Sequence, residues 1–129
     1  MSTPPPCAVV FCVAYEDVVA FYRDALGLPL VSVEESHTIL DAGGMWLIVH
    51  PALEQVAAEL AAASPPRRRE AGAIKPMLNV ASIADVREWA AKFGGVVDPP
   101  EAEWPWRDVI CCRGHDPEGN VFEIMQPAG

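Results

Sequence analysis

The 129 residues favour one domain, and with 51% of them hydrophobic they can bury a packed core. The net charge is −9, and the one basic cluster, Arg67-Arg68-Arg69, reads as a solvated linker, so a nucleic-acid surface is not expected. No apolar run reaches the roughly 20 residues of a membrane span, and Met1 to Pro6 has neither the basic nor the apolar region of a signal peptide. The expected compartment is therefore the cytoplasm, with Cys7, Cys12, Cys111 and Cys112 as reduced thiols. Along a strand the adjacent Cys111 and Cys112 point to opposite faces and could not easily share a metal.

Residues 1–6, with three consecutive prolines, predict an extended or disordered tail. Ala8 to Val13 reads as a strand. Glu16 to Leu26 reads as a helix, because Val18, Phe21, Tyr22, Ala25 and Leu26 form one apolar stripe. Glu16 and Asp17 suit its first turn and Gly27 its end. Strands follow at Leu30 to Val33, Thr38 to Asp41 and Met45 to His50, the last entered through Gly43-Gly44. Pro51 to Ala63 predicts a second helix and Ser64 to Gly72 a linker. The pattern then restarts, with a strand at Ile74 to Val80 and a helix at Ile83 to Phe93 capped by Ser82 and stopped by Gly94-Gly95. A short strand at Val96-Val97, a loop at Pro99 to Pro105, and strands at Trp106 to Arg113 and Asn120 to Gln126 complete the chain.

Both halves therefore read βαβββ. An offset of 67 places Tyr22 on Trp89 and Gly27 on Gly94, and an offset of 76 places Gly43 on Gly119 and Ile48 on Ile124. The expected class is α+β, built as module 1 (about 7–51), a linker helix and loop (52–73) and module 2 (about 74–127).

Two stretches resemble a known family. AFYRDALGLPL is similar to the first helix and following strand of vicinal-oxygen-chelate modules. WRDVICCRGHDPEGNVFEIMQP is similar to that superfamily's last two strands and their Asp-Pro-Glu-Gly turn. The resemblance covers nearly all of 7–127. It implies the glyoxalase/bleomycin-resistance/dioxygenase fold, with curved mixed sheets around a cavity that often forms at a homodimer interface.

In metal-dependent members the ligands come from the first and fourth strands of each module. Carried over, these positions fall on Glu123, on Leu47 as its internal counterpart, on about Lys75 and on about Cys7. Glu123 is the one conventional ligand, and Cys7 is a weaker candidate. Alternation sets Glu123 with Met125 on the face opposite Phe122 and Ile124. A buried carboxylate needs a partner, and Lys75 is the candidate cation that would replace a metal; its alternative is to point outward while Glu123 is hydrated. Leu47, Val49 and Met125 are expected to line the cavity, with Trp46, Ile48 and His50 on the helix-covered side. Trp104, Trp106 and Arg107 either cover the pocket and stack on a ligand or plug the sheet end. His37, His50 and His115 read as structural or exposed, and no His-x-x-x-His or Cys-x-x-Cys spacing exists.

Two functions follow from the resemblance. One is a binding protein like the bleomycin-resistance branch, without a cofactor, sequestering a small cationic or aromatic molecule. The other is a divalent-metal-dependent lyase, isomerase or dioxygenase, with the metal as Lewis acid. One ligand out of four positions favours the first.

Overall fold

The computed structural model describes residues 3–60 and 68–129. Residues 61–63 of the predicted second helix and 64–67 of the predicted linker, Arg67 among them, lie outside the described residues.

Module 1 runs β1 (Cys7–Cys12), α1 (Tyr15–Ala20, continued by a π-helical turn Phe21–Ala25), β2 (Leu30–Val33), β3 (Thr38–Asp41) and β4 (Trp46–Pro51). Helix α2 (Glu54–Leu60) follows. Module 2 runs β5 (Met77–Asn79), α3 (Ile83–Lys92), β6 (Val96–Val97), a 3-10 turn (Pro100–Ala102), β7 (Trp104–Trp106), β8 (Val109–His115) and β9 (Val121–Pro127). The first sheet is ordered β1-β4-β3-β2, and the second β5-β9-β8-β6 with β7 also on β8. Strand β1 is parallel to β4, as β5 is to β9, and every other pair is antiparallel. The α+β class and the twice-repeated order are as the sequence predicts. No helix among the described residues is long and apolar enough to cross a membrane.

Four local features differ from the sequence reading. Segment 74–76 is not strand, and only Met77–Asn79 pairs with β9. The 99–105 loop contributes β7, and Pro105 is tolerated there because β7 borders its sheet. Arg107, at φ 50°, turns the chain between Trp106 and Val109, a left-handed backbone rarely adopted outside glycine. The first helix carries one residue more between its start and Gly27 than α3 carries before Gly94, and the π turn absorbs it: Leu26 N–H donates to Phe21 O at 3.2 Å.

One core serves both modules. Phe21 and Tyr22 of the first helix meet Phe122 of β9, with ring centroids 5.8 Å and 6.2 Å away. Leu47 and Val49 join that core together with Phe122 and Ile124. The face predicted for β4 is therefore inverted. Leu47 and Val49 are fully buried under the helix, and Trp46, Ile48 and His50 take the opposite face. Pairing explains the inversion. Val10 sits beside Val49 and Leu78 beside Ile124, so β4 superimposes on β9 at an offset of 75, with Gly44 rather than Gly43 matching Gly119. In a strand, a slip of one residue exchanges the two faces.

The 116–120 turn ties the modules together. Asp116 is fully buried and accepts hydrogen bonds from Tyr22 Oη (2.8 Å), Asn120 Nδ2 (2.8 Å) and the N–H groups of Glu118 (2.9 Å) and Asn120 (3.0 Å). Ala14 offers no side-chain cap to α1. The Glu118 carboxylate reaches across instead and accepts from Val13 N at 2.9 Å and Ala14 N at 2.5 Å. A negative group at a helix start also complements the helix dipole.

Candidate functional site

The faces turned away from the helices carry Glu123, Met125 and Trp104 of the predicted site. On the first sheet, one register row is Val9–Ile48–Ile39, and Phe11 pairs with His50. His50 lies on this face rather than under the helix. Its ring is 5.4 Å from that of Phe11 and stacked on His37 at 5.8 Å. On the second sheet, the rows are Met77–Glu123–Arg113 and Asn79–Met125–Cys111–Trp104. Glu123 and Met125 thus share the face opposite Phe122 and Ile124, as alternation requires.

Glu123 has a partner, and it is not Lys75. Arg113 Nε lies 2.7 Å from Glu123 Oε2, and the guanidinium carbon stands 5.4 Å over the Trp104 ring. The Glu123 side chain is 13% exposed and that of Arg113 44%, so the pair bridges a sheltered carboxylate to solvent. Lys75 instead donates to the carbonyls of Glu70 and Gly72, each at 2.9 Å. It precedes the first paired residue of β5, and Met77 occupies the place beside Glu123. Arg113 went unnoticed in the sequence although a signal was present. Strands closing on the 116–120 turn pair His115 with Val121, Gly114 with Phe122 and hence Arg113 with Glu123.

A divalent cation does not fit this donor set. Lys75 can only donate. The exposed Cys7 thiol donates to Pro5 O at 3.2 Å, Ile48 is the true counterpart of Glu123, and the Glu123 charge is already met by Arg113. Among the described residues no three His, Cys, Asp or Glu groups converge. A metal here would find one carboxylate and an opposing guanidinium.

A cleft of about 740 Å³ opens between β1 and the segment leading into β5. Its apolar walls include Val9, Phe11, Ile74 and Met77, and Arg69, Lys75 and Asn120 supply polar groups. Of the predicted site residues, Lys75, Leu47 and Cys7 border this cleft. Glu123, Met125 and Trp104 gather on the second sheet's open face. Val49 belongs to the core and reaches neither. Trp106 is exposed beside the β7–β8 turn, with the Arg107 guanidinium carbon 5.3 Å over its ring.

The four thiols are unpaired. Burial pushes the Cys12 thiol up to about 12, helped by the nearby Glu118 and Asp116 carboxylates, and burial also raises Cys111 and Cys112. A raised thiol holds little thiolate and reacts slowly. Titration with a chromogenic disulfide at neutral pH should therefore show Cys7 reacting fast and the other three only after denaturant. Rapid reaction of a second thiol in the native protein would contradict this burial pattern.

A family model described as a glyoxalase-like domain matches residues 7–125. Among solved structures, a glyoxalase/bleomycin resistance protein/dioxygenase family enzyme from Burkholderia phytofirmans PsJN is 17% identical, with 97% of this chain and 99% of that chain covered and a TM-score of 0.65. TnmS3, an antibiotic binding protein from Streptomyces sp. CB03234, is 16% identical over 98% and 97%, at 0.63. The fosfomycin resistance protein FosX from Listeria monocytogenes is 12% identical over 98% and 94%, at 0.62. No curated protein matches the chain. The chain belongs to the glyoxalase-like domain family of the vicinal-oxygen-chelate superfamily.

Proposed function

We propose that this protein binds a small, largely apolar or aromatic molecule without using a metal. The observation that carries the reading is the Arg113–Glu123 pair, which places a guanidinium against the single conventional ligand of the family pattern. The cleft volume lies within the roughly 300–1,000 Å³ of ordinary small-molecule sites. An antibiotic binding protein among the structural neighbours is in keeping with such a role. Exposed Val9, Phe11 and Met77 favour a second copy of the chain as the cover of the open faces. Four unpaired thiols suit a reducing cytoplasm.

The test uses a neutral aromatic probe, 2-naphthalenemethanol, followed by calorimetry. Binding is expected to be saturable, unchanged by EDTA, and abolished by Val9→Glu, which puts a charge on the cleft wall. Binding that appears only after Mn, Ni or Zn is added, and is lost in Glu123→Ala, would return the protein to the metal-dependent enzymes.

A further inference from the structure

The cleft walls carry charge of one sign. The segment before β5 holds three described cations, Arg68, Arg69 and Lys75. Arg68 is matched by salt bridges to Asp98 and Glu70. Arg69 and Lys75, the two that border the cleft, meet no carboxylate within salt-bridge distance among the described residues. Arg69 donates to the Asn120 side chain, and Lys75 uses two donors on the Glu70 and Gly72 carbonyls. An ammonium has three donors and a guanidinium five, so both keep spare N–H groups. No carboxylate appears among the described lining residues. In a chain with 18 acidic and 9 basic residues, two cations with no carboxylate partner among the described residues, on one apolar cleft, mark a local reversal of charge.

We infer that the cleft selects an amphipathic anion: an apolar or aromatic body on the Val9, Phe11 and Met77 side, bearing a carboxylate or similar oxyanion that accepts from Lys75 and Arg69. This rests on the binding reading above and names the ligand class. The net charge of −9 would by itself attract cations at long range. Contact selectivity is set by the walls, where charge-assisted hydrogen bonds to an oxyanion are about twice as strong as neutral ones.

Three probes of similar body separate the ideas: 2-naphthoate, 2-naphthalenemethanol and 2-naphthylmethylammonium, titrated calorimetrically into the whole chain at low and high salt. We expect 2-naphthoate to bind about tenfold tighter than the neutral probe, a difference of about 1.4 kcal/mol, and the cation to bind weakest. The anion's advantage should shrink with salt. It should also disappear in Lys75→Met or Arg69→Met, read as the ratio of 2-naphthoate to neutral-probe affinity within each variant. A cation that binds as well as the anion overturns this inference and leaves the binding function standing. Failure of all three probes overturns both. An anion preference that survives both substitutions at full size removes the assignment to Arg69 and Lys75.

Discussion

Replacing Asp116 with alanine is expected to cost about 3–5 kcal/mol, a large share of the roughly 5–15 kcal/mol that holds a domain of this size together. Its carboxylate accepts four hydrogen bonds in a fully buried position, two from side chains and two from backbone N–H groups. Removing one acceptor leaves every one of those donors without its partner, and buried donors without a partner cost about 1–3 kcal/mol each before relaxation. Burial pushes the Asp116 carboxyl up, while Asn120, Tyr22 and the two backbone donors pull it down. The donors are thus what make a carboxylate tolerable in that position. Tyr22→Phe deletes one of the four and should cost about 1–1.5 kcal/mol. Urea denaturation of the two variants gives the comparison directly. If Asp116→Ala were no worse than Tyr22→Phe, the turn would not be the junction between modules that its geometry indicates.

This junction also explains why a recognisable Asp-Pro-Glu-Gly-Asn stretch is legible in the sequence. Asp116, Glu118 and Gly119 satisfy local and cross-module backbone needs rather than chemistry on a ligand. Gly119 takes φ 84°, and Glu118 reaches the start of α1. Helix α3 was equally legible, because Ser82 does accept from Asp85 N at 3.1 Å and the apolar spacing is regular. The open face of the second sheet followed from alternation around Glu123. The face of β4 did not, because the repeat was anchored on Gly43, and the first module's turn, 42–45, is one residue shorter than 116–120. A period of two gives no tolerance for such a slip. The partner of Glu123 was misjudged for a different reason: Lys75 is close in the expected order of elements, but register rather than proximity in topology decides which side chains meet. Arg107 could not have been read at all, since nothing in its neighbours announces a left-handed backbone at an arginine.

Gly94 and Gly95 read alike in the sequence, as one helix stop, yet their alanine variants should differ sharply. Gly94 has φ 86°, and a Cβ there would meet only Pro117 side-chain carbons at 3.6 Å and 3.7 Å. Gly94→Ala therefore costs the left-handed strain alone, about 1–2 kcal/mol. Gly95 needs no left-handed backbone. A Cβ on it would lie 2.2 Å from Phe21 Cε1 and 2.6 Å from the His115 carbonyl oxygen. Neither can yield easily: Phe21 is fully buried against Tyr22 and Phe122, and His115 is held between Val96 and Val121. Overpacking of this kind costs about 1–3 kcal/mol where neighbours can shift, and here a ring and a backbone atom are struck together, so Gly95→Ala should reach about 3 kcal/mol or more. The midpoint of urea denaturation should fall in the order wild type, Gly94→Ala, Gly95→Ala. Adding Phe21→Leu to Gly95→Ala should recover part of the loss, giving a favourable coupling in a double-mutant cycle. An equal cost at the two glycines, or additive behaviour of Gly95→Ala with Phe21→Leu, would mean that α3 and the first helix do not meet at this point, and that the single core joining the two modules is looser than the Phe21–Phe122 contact requires.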